Sequence, residues 1–170
     1  AKGHSIGASL TEPDMLSTAT GIMATAAAHK CRILLPTDVM VAAEFKANAP
    51  HRVSNGGDIA NNEMILDAGP QSVAAVNAFL AECRTVLWNG PMGAFELTPF
   101  DAATNAVARE VARLTKNRKI MSVAGGGDTM AALANAGVND HFNYVSTAGG
   151  AFLEWLEGKT LPGVDALQQR

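Results

Sequence analysis

Four glycine-bearing turns punctuate this chain, at Gly69, at 90–93, at 125–127 and at 149–150, and each follows a short apolar run. The third is the most restrictive. Residues 120–124 read as a strand, Gly125-Gly126-Gly127-Asp128-Thr129 follows, and 128–136 reads as a short helix. Consecutive glycines let the backbone turn sharply and let a ligand reach the amides without interference from Cβ. The helix behind them presents unpaired N–H groups and the positive end of its dipole. These features suit a phosphate site; close packing of strand on helix is the other reading of the glycines taken alone. Asp128 is either an N-cap or the partner of a cation, because a bare carboxylate repels phosphate. Mg²⁺ favours one or two carboxylates together with phosphate oxygens. Thr129 either gives its hydroxyl to a phosphate or helps to cap. The lysine of a Walker A loop does not follow, and Met130 stands where G-x-G-x-x-G needs its last glycine.

The rest of the chain alternates helix-like and strand-like segments. Thr11, Glu12 and Pro13 predict a helix start, with Met15, Ala19, Ile22, Met23 and Ala26 on one face. Residues 32–35 and 39–43 predict short strands around Pro36-Thr37-Asp38, and 64–67 another. Gly69-Pro70 opens a helix to about residue 83, and 85–88 is strand-like before Asn89-Gly90-Pro91. Phe100, Ala103, Val107, Val111 and Leu114 make a helix face; 144–147 is strand-like, a helix follows through 156, and a short helical tail comes last. Alternation of this kind predicts an α/β fold, a Rossmann-like parallel sheet with helices on both faces. Ligands in such sheets bind at the carboxyl ends of strands, so the glycine turns are expected to gather on one sheet edge.

Composition narrows the classes. The 170 residues are 48% hydrophobic with a formal net charge of −3, enough to build a core and without the basic clusters of a nucleic-acid binder. No apolar run approaches the roughly 20 residues of a membrane span. Cys31 and Cys83 have no metal-ligand spacing and predict reduced thiols in a cytoplasmic protein. His4, His29, His51 and His141 lack the spacing of a metal site or catalytic dyad and read as surface residues, while Met15, Met23, Met40 and Met64 read as core. The opening Ala1-Lys2-Gly3-His4 has neither an initiator Met nor a signal-peptide core, as expected of a piece of something longer.

In the loop Trp88-Asn89-Gly90-Pro91-Met92-Gly93-Ala94-Phe95-Glu96, Gly93-Ala94 offers a small surface for a flat ring and Glu96 could accept from ribose hydroxyls; a plain surface turn is the alternative. The run 86–96 resembles the nucleotide loop of the phosphoglycerate kinase family. Gly125-Gly126-Gly127-Asp128-Thr129 is similar to that family's triple-glycine-Asp-Thr motif. Ser146-Thr147-Ala148-Gly149-Gly150-Ala151-Phe152-Leu153-Glu154, with Leu156-Glu157-Gly158-Lys159 and Leu161-Pro162-Gly163-Val164, resembles its C-terminal signature. Leu34-Leu35-Pro36-Thr37-Asp38-Val39 and Leu66-Asp67-Ala68-Gly69-Pro70 also fit, in family order.

The resemblance implies reversible, Mg²⁺-dependent phosphoryl transfer between 1,3-bisphosphoglycerate and ADP, by a monomer with no membrane or nucleic-acid partner. It implies that Gly69, Gly90, Ala94 and Glu96 face the adenosine and that Asn89 lies near the phosphates. Gly126, Gly127, Asp128 and Thr129 would hold phosphates and Mg²⁺, with Asp128 the metal ligand. Gly126, Gly127, Gly149 and Gly150 would supply backbone donors to the transferred group, and Ser146-Thr147 would lie near an interdomain hinge. Residues 1–158 would then be a nucleotide-binding C-terminal domain lacking its first strands and helices. Residues 159–170 would be a tail returning toward an N-terminal domain that binds phosphoglycerate. Ala148 stands where the family has the first of three glycines. The family's Gly-Gly-x-Lys-Val and Gly-Gly-Gly-Met segments do not occur in these residues, so an α/β portion with weak nucleotide binding and no turnover is the rival expectation.

Overall fold

The structure is a computed structural model that describes residues 1–146 and 148–168. The chain divides into two compact units: Ala1–Ala78 with Met92–Ala103, and Phe79–Pro91 with Thr104–Arg170. Each is built around its own three-stranded sheet.

In the first unit, a 3-10 turn at Pro13–Met15 leads into α1 (Leu16–Ala28). Pro13 sits at the start as expected, but Glu12 is the N-cap and no side chain caps the turn, so Thr11 does not play that part. The expected apolar face of α1 is only partly covered: Ala19, Met23 and Ala26 are half-buried, Ile22 is 57% exposed, and Met15 just before the helix is exposed rather than core. Strands β1 (Val39–Ala42), β2 (His51–Ser54) and β3 (Met64–Ala68) pair in the order β2-β1-β3, and both pairings are antiparallel.

This corrects two expectations. One parallel sheet was predicted for the whole chain, and this part of it is an antiparallel sheet. Residues 32–35 are not a strand, because they find no ladder partner among the described residues and Pro36 lacks an amide donor. Strand β2 went unpredicted: His51-Arg52-Val53-Ser54 has a single apolar residue, Val53, and that one is exposed. The core of the unit is Met40, Ala42, Ala49, Leu66 and Phe100 on one side, and Val39, Val41 and Ile59 on the other. Helix α2 (Pro70–Leu80) opens directly behind Gly69, with proline at its first position.

The second unit carries the parallel sheet that the sequence predicts. Strands β4 (Thr85–Asn89), β5 (Met121–Gly125) and β6 (Tyr144–Ser146) lie in sequence order, all parallel. Helix α3 (Ala102–Lys116) precedes β5, α4 (Gly127–Asn135) links β5 to β6, and α5 (Gly149–Leu156) and α6 (Pro162–Gln168) follow. Strands in this order with right-handed crossovers send both connecting helices to one face of the sheet. Accordingly Trp88, Ser122 and Ala124 are buried, with Trp88 edge-on to Phe142 at 6.3 Å, whereas Leu87, Met121 and Tyr144 on the opposite face stay exposed. A buried hydroxyl pair, Thr115 Oγ1 with Ser122 Oγ at 2.8 Å, ties α3 to β5, and Asn143 Oδ1 accepts from the Ser122 amide at 2.9 Å.

All four histidines are exposed, Cys31 and Cys83 are free, and no described helix is long and apolar enough to cross a membrane.

Candidate functional site

Three of the four glycine turns meet at the carboxyl ends of β4, β5 and β6. The register aligns Asn89 with Gly125 and Gly125 with Ser146, so the three strands end level. Gly69 follows β3 and belongs to the other sheet, so the expected gathering on one sheet edge holds for three turns.

Gly126 is the N-cap of α4 with φ +103° and ψ +147°, a conformation essentially confined to glycine. No side chain caps this helix start. The first amides of α4 therefore lack an intrahelical partner, as at any helix start, and open space surrounds Gly127 where a Cβ would project. Asp128 is the second residue of α4 and exposed; it is not the N-cap, which removes one of the two readings of this carboxylate. Thr129 is 1% exposed, and its Oγ1 accepts from the Gly90 amide at 2.7 Å. Its hydroxyl thus fastens the loop after β4 to the first turn of α4. Asn89 joins the cluster: a Cβ built on Gly126 would lie 3.7 Å from Asn89 Oδ1 and 3.5 Å from Thr129 Oγ1. The indole of Trp88 donates to the Gly90 carbonyl at 2.6 Å and braces the same turn.

Gly149, the first residue of α5, is buried against the Gly125-Gly126 backbone; a Cβ there would run into the Gly126 amide nitrogen and Cα. Gly150 faces open space. Ala148 is the N-cap of α5 with φ −104°, a conformation any residue adopts, so its methyl costs the turn nothing. Ser146 Oγ accepts from the Ala148 amide at 3.1 Å; Thr147 lies outside the described residues. The second unit thus brings together Asn89, Gly90, Gly126, Gly127, Asp128, Thr129 and Gly149, with Gly150 next in the chain. No group of three or more His, Cys, Asp or Glu among the described residues could hold a metal alone. A lone exposed carboxylate beside free amides suits a Mg²⁺ whose other ligands are phosphate oxygens and water.

The first unit holds the other expected contacts. An apolar cavity of about 690 Å³ is lined by Val39, Leu66, Ala68, Met92, Gly93 and Ala94, among others. The Ala94 amide donates to the Leu66 carbonyl at 2.8 Å, laying the loop 92–95 along the end of β3. Gly93 is pressed against the Asp67 carboxylate and has no room for a side chain. Glu96 is exposed, just past this loop, and Gly69 follows β3. Sequence reasoning missed Asp67. It is 2% exposed, accepts from the amides of Ala68 and Ala103, each at 2.9 Å, and so caps α3 from outside the helix. Burial pushes its pKa up to about 6 against these two amide bonds, and Asp101 adds to the rise. Nothing in its neighbours in sequence signals that role.

Residues 1–159 match the family model described as phosphoglycerate kinase. The chain belongs to the phosphoglycerate kinase family. It is 59% identical over 169 residues to the phosphoglycerate kinase of Xanthobacter flavus and 60% identical over 169 residues to that of Azorhizobium caulinodans, covering 99% of this chain each time. The chain spans 43% of the length of each of those relatives. The solved phosphoglycerate kinase of Coxiella burnetii superposes with a TM-score of 0.90 at 43% identity, over 96% of this chain and 41% of that one. The family resemblance read from the glycine motifs is therefore correct, as is the α/β class.

Proposed function

We propose that this chain is the nucleotide-binding portion of a phosphoglycerate kinase and that the start of α4 receives the nucleotide phosphates. One observation carries this reading: at Gly126-Gly127-Asp128 a glycine-only backbone conformation, an uncapped helix start, open space at Gly127 and an exposed carboxylate coincide. Free amides and the helix dipole favour the polyphosphate. Asp128 would hold Mg²⁺, which would offset the negative charge of the phosphates. Gly126, Gly127, Gly149 and Gly150 supply main-chain donors for the transferred group, fixed in place before any reaction. Asn89 and Gly90 border the same phosphates. In the first unit, Gly69, Ala94 and Glu96 are proposed as adenosine contacts, with the apolar wall of the cavity suited to a purine.

The reaction so served is reversible phosphoryl transfer between 1,3-bisphosphoglycerate and ADP, in a cytoplasmic monomer. Positioning and charge stabilisation are most of what such a transfer asks of a protein. The 170 residues are proposed to bind MgADP weakly and to show no turnover alone, with phosphoglycerate held by a domain outside them. Residues 1–158 serve as the nucleotide-binding domain and 159–170 as the tail that returns toward that domain. Calorimetric titration with MgADP tests the reading. We expect saturable binding that loses its Mg²⁺ dependence in Asp128→Ala; retention of that dependence would overturn the assignment, and turnover by the chain alone in a coupled kinase assay would overturn the expected inactivity.

A further inference from the structure

The start of α2 differs from the start of α4 in one respect: its donors are already taken. Asp38, 1% exposed, lies just before β1, and Ser72, 4% exposed, lies in the first turn of α2. One oxygen of the Asp38 carboxylate accepts from the Ser72 amide and from the Ser72 hydroxyl, both at 2.7 Å. The other accepts from the Gln71 amide at 3.0 Å. Ser72 Oγ in turn accepts from the amides of Thr37 at 2.9 Å and Asp38 at 3.1 Å. A buried carboxylate is costly unless it is fully bonded. Here charge-assisted bonds and the positive end of α2 offset that cost.

This lock holds a corner of the backbone. The Gly69 amide donates to the Asp38 carbonyl at 2.8 Å, and the carboxylate occupies the place a Cβ at Gly69 would take, with Oδ1 2.7 Å from that point. The next pair in the ladder is Val39 with Ala68, and both line the 690 Å³ cavity. Asp38 thus sets the position of Gly69 and of the cavity wall beside it. It also fills the helix start with a built-in anion, so that a phosphate gains nothing there.

We propose that Asp38, braced by Ser72, is a positioning residue for the adenosine end of the nucleotide: it fixes Gly69 and the Val39–Ala68 wall and keeps α2 closed to phosphate. The inference rests on the reading of Gly69 as an adenosine contact.

The test uses the 170-residue chain, MgADP, Mg²⁺ tripolyphosphate as the phosphate-only probe, and calorimetry well below the unfolding temperature. Asp38→Asn is expected to weaken MgADP about five- to tenfold at full stoichiometry, with tripolyphosphate binding and the Mg²⁺ dependence unchanged. Amide exchange at Gly69, Gln71 and Ser72 is expected to quicken. Ser72→Ala, a milder change that keeps the carboxylate, is expected to weaken MgADP about two- to threefold and serves if Asp38→Asn does not fold. A lowered melting temperature with unchanged MgADP affinity in the folded variants would reduce the pair to a structural role and overturn the proposal. Equal losses for MgADP and tripolyphosphate would overturn it as well. Absence of MgADP binding by the parent chain would overturn both the proposal and the nucleotide reading beneath it.

Discussion

The Gly90 amide and the Thr129 hydroxyl oxygen, 39 residues apart in sequence, lie 2.7 Å apart in the second unit. A hydroxyl oxygen that accepts still carries its own proton, so Thr129 can brace the loop after β4 and donate once more. Thr129→Val keeps the shape and removes the acceptor, leaving the Gly90 amide without it. Chemical denaturation should show a loss of about 1–2 kcal/mol, and MgADP affinity should fall. Thr129→Ser should retain most of both. Equal behaviour of the two variants would show that the bond carries no weight.

Gly149→Ala should be the most damaging single methyl in the second unit. Its Cβ has nowhere to go but the Gly126 backbone, which is fixed by the turn. Overpacking of this kind costs about 1–3 kcal/mol. Gly150→Ala, which points into open space, should cost a small fraction of that. Paired thermal melts of the two variants make the comparison.

Gly93→Ala sets a methyl against the buried Asp67 carboxylate and the Leu66 carbonyl, the latter 2.7 Å from the new Cβ. The first unit should lose about 1–3 kcal/mol by the same overpacking argument, and the loop carrying Ala94 should shift. The methyl region of an NMR spectrum, read at Ala94 and Leu66, reports the displacement.

Asp67 predicts a pH dependence of definite sign. Burial raises its pKa in the folded chain from 3.8 to about 6. Between those values the folded state holds a proton that the unfolded state has released, so stability falls as pH rises through this window. The group's favourable share is complete below the unfolded pKa and gone above about pH 6. A drop of about 2–3 kcal/mol is expected from this group. Asp67→Asn should flatten it. Denaturation midpoints measured from pH 4 to pH 7 in both chains give the answer; a slope unchanged by the substitution would contradict the assignment.

The second unit was far more legible in the sequence than the first. Strands β4 and β5 are largely apolar runs that stop at glycines, and parallel pairing follows from the helices between strands, so the Gly126–Thr129 turn was readable residue by residue. The status of Asp128 as second helical residue rather than cap depended on where α4 begins, which the three glycines leave open by one or two positions. In the first unit, β2 hides in polar residues, and residues 32–35 have strand composition but join no sheet ladder among the described residues. Asp38 and Asp67 were invisible as buried groups, because their burial comes from amides more than 30 residues away, at Ser72 and Ala103. Local pattern cannot report a contact made by distant backbone.

The uncovered face of the parallel sheet has a thermodynamic consequence. Leu87, Met121 and Tyr144 already meet water in the folded chain at 43%, 58% and 61% exposure, and α1 adds Ile22 at 57%. Unfolding cannot expose these groups a second time. The heat-capacity increment on melting, about 12–15 cal/mol/K per residue in ordinary globular proteins, should therefore fall below that line here. The denaturant m-value, which scales with newly exposed surface, should fall with it. The stability curve of this chain should be correspondingly flat, with cooling and warming changing its free energy less than its length suggests.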